Sequence, residues 1–259
     1  MGDNLPYLNL GTGRKVLKIA MGAFHRCAIL DNLKVKCWGW NSAGELGYED
    51  SRTRGDNPDE MGDFLPYVNL GTNAQIVDIA ASTGNYFESG GVHYSCALFS
   101  TGQVKCWGAN TQGQLGLGDT TSRGSTVGSM GDNLPFVNLG TGRTAKQIFA
   151  SNLSTCAILD NDLLKCWGNG QLGIGSTSNY GNTSILTGDN IPTAILGERK
   201  VISVSGSFLE WSAGHRCALF SNGGVKCWGK NFYGELGVGN TLTLGDEANE
   251  MQNLLDIPL

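Results

Sequence analysis

The chain has 259 residues, and its 23 acidic side chains outnumber its 18 lysines and arginines, which gives a formal net charge of −5. Nucleic-acid binding depends on clustered cationic side chains, and a membrane-spanning helix needs an apolar run of about 18 residues. The sequence shows neither feature. We therefore expect no nucleic-acid partner and no membrane insertion.

Glycine is abundant, at 39 residues, while only 16% of the chain is charged. This composition is typical of short strands joined by tight turns. Between Met61 and Met130 the alternation of apolar and polar residues predicts four strands. In chain order they are residues 66–70, 75–80, 94–99 and 103–107. The last two form a hairpin, with Gly102 at the turn position that favours positive φ.

All eight cysteines fall into four pairs, each ten residues apart within one recurring phrase that ends in Lys-Cys-Trp-Gly. Zinc sites favour shorter spacings and recruit further ligands nearby. Centring the hairpin on Thr101 places Cys96 opposite Cys106, at a separation that a disulfide can bridge. We therefore predict four disulfides, Cys27–Cys37, Cys96–Cys106, Cys156–Cys166 and Cys217–Cys227. Four disulfides indicate an oxidising compartment, so we expect an extracellular or cell-surface protein.

Successive copies of this phrase start 69, 60 and 61 residues apart, which is typical of a repeat architecture. A second phrase, Met-Gly-Asp-x-Leu-Pro, opens the chain at Met1 and returns at Met61 and Met130. We interpret residues 1–259 as one domain with approximate repeats 1–60, 61–129, 130–186 and 187–259. Because the chain begins in the middle of this pattern, we expect it to be part of a longer array.

Each cysteine phrase continues into a glycine-rich loop, as in Cys106-Trp107-Gly108 followed by Asn110, Gly113 and Gln114-Leu115-Gly116. Together with the preceding Gly-x-x-His-x-Cys-Ala, this pattern resembles the repeat of the regulator of chromosome condensation family. The resemblance covers essentially the whole chain. It implies an all-β fold, a β-propeller of four-stranded antiparallel blades, with four repeats visible in a seven-bladed propeller or a longer array. The paired cysteines resemble those of secreted or surface members.

The resemblance does not imply that this chain has every activity found in that family. Nucleotide exchange on the small GTPase Ran belongs to a reducing nuclear setting, which four disulfides contradict. The clustered tryptophan phrase of the plant ultraviolet photoreceptors, around Gly-Trp-Arg-His-Thr, is absent. No nucleophile–base pair, metal constellation or cofactor fingerprint stands out in the sequence. We therefore expect no enzymatic activity, no cofactor and no bound metal.

Two repeats carry insertions before their cysteine hairpin, at residues 82–92 and 207–213. Both insertions place aromatic side chains next to a glutamate, and exposed aromatics in loops are typical binding anchors. The candidate partner contacts are Tyr86, Phe87, Glu88, Phe208, Glu210 and Trp211. In the alternative interpretation, these aromatics fold back over a gap between blades and serve packing alone.

The leading functional hypothesis is a non-enzymatic extracellular or cell-surface module that binds other proteins, or assembles, through the rim loops of the propeller. One alternative is a lectin-like propeller whose aromatics stack on glycans. Another is a structural subunit of an extracellular filament or coat. Two sequons predict N-glycosylation, at Asn152 and at Asn182. Asn182 is the better candidate because its long polar linker exposes the backbone.

Overall fold

The computed structural model describes residues 7–84, 92–206 and 214–257. They form four antiparallel sheets, each of three strands that are neighbours in sequence. The strands are β1 (Val16–Met21), β2 (His25–Leu30), β3 (Val35–Gly39), β4 (Ile76–Ala81), β5 (Tyr94–Phe99), β6 (Val104–Gly108), β7 (Ala145–Ala150), β8 (Ser154–Leu159), β9 (Leu164–Gly168), β10 (Val201–Gly206), β11 (His215–Phe220) and β12 (Val225–Gly229). One short helix, α1 (Glu250–Asn253), follows the last sheet.

The second and third strands of each sheet form the hairpin that the sequence predicted. Cys96 is paired directly with Cys106 in the register of β5 and β6, and the other three cysteine pairs occupy the same register. All four predicted disulfides are present, with Cα atoms 4.0 to 4.1 Å apart. Gly102 has the expected positive φ of 80°. Each disulfide therefore fixes the register of its hairpin, because a slip of one residue would reverse every side chain.

The fourth strand of each blade differs from the prediction in both length and position. Residues 66–70 are not part of a continuous ladder; they run beside β3, where the Val68 amide donates to the Val35 carbonyl at 2.9 Å. The segment predicted as the first strand of the second repeat is thus the outer edge of the sheet before it. The same placement recurs at Val137 and Ala194. Pro66 opens the segment and has no N–H to give, which favours an edge position over a full strand.

Consecutive sheets pack face to face through buried apolar clusters. Ile79 of β4 shares one cluster with Ile29 of the first sheet, and Ile148 of β7 shares the next with Leu98 of the second sheet. A third cluster joins the last two sheets. Among the described residues no corresponding cluster joins the fourth sheet to the first, so the four blades follow one another without closing into a ring.

We call the contact between two consecutive sheets a joint. A tryptophan side chain crosses each of the three joints. The indole nitrogen of Trp107 donates to the carbonyl oxygen of Glu45 in the preceding blade at 2.9 Å. Trp167 and Trp228 repeat this contact with the carbonyls of Gln114 and Gln171, at 3.0 and 3.1 Å. All three tryptophans are fully buried. A buried indole N–H needs an acceptor, and this acceptor fixes where one sheet lies against the next.

The same carbonyl accepts a second hydrogen bond from the incoming blade. Ser95 Oγ donates to the Glu45 carbonyl at 2.9 Å, and Thr155 Oγ1 donates to the carbonyl of Gln114 at 2.7 Å. At the third joint the donor is the guanidinium of Arg216. Each of these donors is paired across its hairpin with the tryptophan of the same blade. Both lone pairs of one main-chain oxygen are therefore used at every joint.

Aspartates in the linkers tie successive linkers together. Asp132 accepts hydrogen bonds from the backbone amide and the hydroxyl of Thr72, at 2.9 and 2.7 Å. Asp63 and Asp189 make the same contacts with Thr12 and Thr141. These hydrogen bonds hold the pKa of each carboxyl below its usual range. These contacts explain why an aspartate follows the glycine in each of these linkers, and we call each pair of hydrogen bonds a linker clasp.

Burial perturbs one carboxyl group at the first joint. Glu45 is fully buried, and one of its carboxylate oxygens, Oε1, has no hydrogen-bond partner. Desolvation raises the pKa of Glu45 to about 7. The two following joints have glutamine at this position, Gln114 and Gln171. The protonated acid resembles glutamine in shape and charge, so the joint favours an uncharged side chain.

We expect removal of the second disulfide, by the double substitution Cys96→Ser and Cys106→Ser, to lower the free energy of unfolding by about 2–3 kcal/mol. The reason is that the closed loop no longer restricts the unfolded chain. Denaturant unfolding followed by tryptophan fluorescence measures the change. Peptide mapping without reductant tests the connectivity, and links between different repeats would contradict the hairpin register.

We expect Glu45→Gln to stabilise the protein at alkaline pH. Because the folded state raises the pKa of Glu45, the wild-type stability should be complete below pH 4.5 and should fall as the pH rises through about 7. The variant should lack this fall and gain up to about 3 kcal/mol at pH 8. Unfolding measured from pH 4 to pH 8 tests the difference.

Glu235 provides the matched control for this measurement, because it occupies the same repeat position in the last blade. Its pKa is lowered, mainly by hydrogen bonds from the backbone amides. Glu235→Gln should therefore produce no gain at pH 8. Equal pH profiles for wild type and Glu45→Gln would contradict the assignment of the raised pKa to Glu45.

Candidate interaction surfaces

One end of the propeller collects two kinds of loop, and we call it the loop face. It consists of the connections between the first and second strand of each sheet and of the glycine-rich loops after the third strand. The two kinds adjoin, since the Trp40 amide donates to the Phe24 carbonyl at 2.9 Å and the Ala109 amide to the His93 carbonyl.

The six candidate contacts predicted from the sequence lie outside the described residues. These are Tyr86, Phe87, Glu88, Phe208, Glu210 and Trp211. The described ends of the two insertions lie at the loop face. They are Gly84 and Val92 for the first insertion and Gly206 and Gly214 for the second. The assignment of these six residues to partner binding stays a prediction.

The described part of the loop face presents four further aromatic side chains. Phe232 is 57% exposed and Tyr233 is 87% exposed. Phe24 and Trp40 are also exposed, at the first blade. The sequence analysis did not single out Phe232 and Tyr233, although the repeat pattern marks them as unusual. The equivalent positions hold Ser42 and Ala43 in the first repeat, so aromatics replace small residues here. The Lys230 ammonium lies 5.7 Å from the centre of the Phe232 ring.

Two of the histidines that precede the cysteines, His25 and His93, contribute to packing at the first joint. His25 is buried, its Nε2 lies 2.9 Å from Ser95 Oγ, and desolvation lowers its pKa to about 3. Burial also lowers the pKa of His93, whose ring packs edge-to-face on Phe24. With a pKa of about 3, His25 stays neutral at physiological pH. These rings fill the first joint beneath the loop face.

The inner strands β1, β4, β7 and β10 line an open cavity of about 320 Å³. Lys18 of β1 and Asp78 of β4 form an ion pair in this lining, with Lys18 Nζ 2.5 Å from Asp78 Oδ1. The Asp78 carboxylate in the described lining is therefore already paired with a cation.

The described residues contain no group of three or more histidine, cysteine, aspartate or glutamate side chains arranged to hold a metal ion. In the same part of the chain no helix has the length and apolar character needed to cross a bilayer.

The two predicted glycosylation sites differ in accessibility. Asn152 is 5% exposed, because it lies in the short connection between β7 and β8. Asn182 is partly exposed and is followed by the exposed Thr183 and Ser184. Asn182 is thus the more exposed of the two, and its glycosylation stays a prediction.

Comparison with known proteins places these sheets in a repeat family. The Regulator of chromosome condensation (RCC1) repeat matches residues 16–45, 76–114 and 101–158. The ultraviolet-B receptor UVR8 of Arabidopsis thaliana is 27% identical over 284 aligned residues, which cover 93% of this chain and 58% of the receptor. This chain thus spans little more than half the length of that relative.

Solved structures show the same fold. Human WBSCR16 superposes with a TM-score of 0.65 at 17% identity, covering 95% of this chain and 53% of that protein. Yeast RCC1 (Prp20), solved bound to Kap60, gives a TM-score of 0.63 at 17% identity, covering 97% of this chain and 50% of that protein. The chain thus contains RCC1 repeats, its sheets have the fold of β-propeller blades, and each of its four sheets carries a disulfide.

Proposed function

We propose that this protein is a non-enzymatic extracellular or cell-surface module that binds another protein through its loop face. The observation that carries the proposal is the exposure of Phe232 and Tyr233 at the tip of a rigid glycine-rich loop. Aromatic side chains held by a rigid scaffold give a large contact area at a low entropic cost. The loop backbone beneath them is held, because Asn231 donates to Asn240 and accepts from the Leu236 amide.

Two further observations support the proposal. Propellers of the RCC1 repeat family take part in protein interactions, and the yeast RCC1 structure contains a bound protein, Kap60. The four disulfides favour an oxidising compartment, because cytosolic thiols are kept reduced. Of these two observations, the disulfides are the one that supports an extracellular location.

A lectin-like function is the second candidate, since exposed aromatic rings also stack on sugars. Trp40 supports it, because its ring is partly exposed while its indole nitrogen donates to Ser42 Oγ at 2.7 Å, which holds the ring in place. A glycan array separates the two candidates. Binding of a glycan that is lost in Trp40→Ala would favour the lectin.

We expect the double substitution Phe232→Ala and Tyr233→Ala to weaken partner binding about tenfold or more. The protein and its variants are immobilised and exposed to culture medium and detached surface proteins of the source cells, and captured proteins are quantified by mass spectrometry. The wild type should enrich a partner that the double variant loses.

Phe64→Ala is the matched control for this capture. Phe64 is an exposed aromatic next to Asp63, in the linker clasp at the opposite end of the blade from the loop face. This variant should retain the partner. Equal capture by the wild type and by the loop-face double variant would contradict the proposal.

We also propose that Asn182 carries an N-linked glycan when the protein passes through a eukaryotic secretory pathway. Treatment with a glycosidase should lower the intact mass of the wild type, and Asn182→Gln should abolish this change. Asn152→Gln serves as the control and should leave the change intact, because the Asn152 side chain is buried. An unchanged mass after treatment of the wild type would contradict the proposal.

A further inference from the structure

A buried cation lies at the third joint. Arg216 of β11 is only 7% exposed. Its guanidinium donates to the main-chain oxygen of Gln171 and to the hydroxyl oxygens of Ser151 and Ser154. All three acceptors are neutral. Every ion pair within 4 Å among the described residues involves another cation, so no carboxylate in this part of the chain neutralises Arg216.

This side chain keeps its charge in spite of its burial. Transfer of a cation from water into a protein interior is costly unless an opposite charge compensates for the lost hydration. Burial lowers the pKa of Arg216 to about 10, so the guanidinium is still protonated at physiological pH. The guanidinium has more N–H groups than its three hydrogen bonds to described residues require. The joint therefore holds a positive charge with donors to spare.

The packing of a joint does not require this charge. At the second joint the large Tyr94 of the earlier blade accepts a hydrogen bond from the small Thr155 of the next blade, with 3.1 Å between the two oxygens. Ser154 and Arg216 hold the same repeat positions at the third joint, where the sizes are exchanged. Because a neutral pair fills the second joint, the cation at the third joint needs a further explanation.

Arg216 lines a small pocket at the loop face, which we call the Arg216 pocket. The rest of its lining comes from the connection between β7 and β8, from the glycine-rich loop after β9 and from the start of β11. Its volume is about 20 Å³. Roughly 10–15 Å³ suffices for one water molecule, so the pocket has room for one water molecule or for a single-atom anion of comparable size. A sulfate or a phosphate ion is too large for it.

Two amide side chains of the same pocket have unpaired oxygens. Asn152 Oδ1 and Gln171 Oε1 are buried, line the Arg216 pocket and have no hydrogen-bond partner among the described residues. Buried polar groups without partners are rare and costly. Rotation about the last side-chain torsion exchanges the oxygen and the nitrogen of an amide, so each of these groups can also present N–H donors. The lining therefore lacks polar contacts that a bound guest would supply.

We propose that the Arg216 pocket binds one halide ion, with chloride as its ligand. The ion neutralises the guanidinium and accepts its remaining N–H groups. The Ser154 hydroxyl is a second donor, because Ser151 Oγ donates to the Ser154 main-chain oxygen at 3.1 Å and the Ser154 proton can turn toward the ion. Asn169 Nδ2 is a third donor, since it places one N–H on Gln112 Oε1 at 3.0 Å and has a second to give.

The bound ion connects two blades. Ser154 and Asn169 belong to the third blade, whereas Arg216 belongs to the fourth. Phe232 and Tyr233 are not part of the lining. The proposal therefore does not rest on the binding of a protein partner through these aromatics.

Chlorine NMR tests the binding directly, because exchange of chloride with a protein site broadens the line of the free ion. At equal protein concentration the wild type should broaden the line more than Arg216→Met does. Bromide should remove the excess broadening by competition. Equal broadening by the wild type and by Arg216→Met would overturn the proposal.

The second joint supplies a matched control with intact packing. The double substitution Ser154→Tyr and Arg216→Thr recreates at the third joint the neutral pair Tyr94 and Thr155. Circular dichroism verifies that the variant is folded, and it should cause no excess broadening. Excess broadening that persists in this variant would place the chloride elsewhere and contradict the assignment to Arg216.

Thermal unfolding of the wild type at constant ionic strength gives an independent readout. Gluconate is too large for the pocket, so its replacement by chloride should raise the unfolding midpoint, because the ion binds only the folded state. We expect a rise of about 2 °C or more over about a hundredfold increase in chloride concentration. The double variant should not respond. A wild-type midpoint that is independent of chloride would indicate a water molecule in the pocket and would refute chloride binding.

Glu210→Gln tests whether the chain supplies its own counter-charge, since Glu210 lies in the insertion before β11 and outside the described residues. This variant should bind chloride as the wild type does. Chloride binding that occurs only in Glu210→Gln would overturn the proposal. The loop-face variant with Phe232→Ala and Tyr233→Ala should keep the chloride response, so failure of partner binding and failure of ion binding are distinguishable.

Discussion

The fold depends on a single contact, in which an indole N–H of one blade donates to a main-chain carbonyl of the blade before it. Because the acceptor is the backbone, the side chain at that position is free to change. It is glutamate at residue 45 and glutamine at residue 114. The cost of an unsatisfied buried N–H then fixes the tryptophan, while the joint tolerates variation around it.

Stability within a blade and stability between blades have different sources. The disulfide and the paired strands keep each hairpin in register, and the contact of Asp132 with Thr72 ties neighbouring linkers together. The joints add apolar burial and two hydrogen bonds to one carbonyl oxygen. The tips of the glycine-rich loops differ from repeat to repeat. In the second repeat Gln112 accepts hydrogen bonds from Asn169 and Asn179, whereas Phe232 and Tyr233 of the last repeat are exposed.

The repetition also makes the three joints comparable, residue by residue. The second hydrogen bond to the shared carbonyl comes from Ser95 at the first joint, from Thr155 at the second and from Arg216 at the third. All three side chains reach the same main-chain oxygen of the preceding blade. The joint therefore fixes the position of the acceptor and tolerates different donors.

The sequence by itself determined the repeat, the hairpins and all four disulfides, because a ten-residue spacing across a tight turn places Cys96 opposite Cys106. Tertiary structure decided the features that depend on distant residues. Residues 66–70 alternate like a strand, yet only packing assigns them to the preceding sheet, through Val35. Likewise, the exposure of Phe232 and the burial that raises the pKa of Glu45 depend on the neighbouring blade. Local pattern determines which strands pair, whereas burial, which sets accessibility and charge, is a property of the assembled sheets.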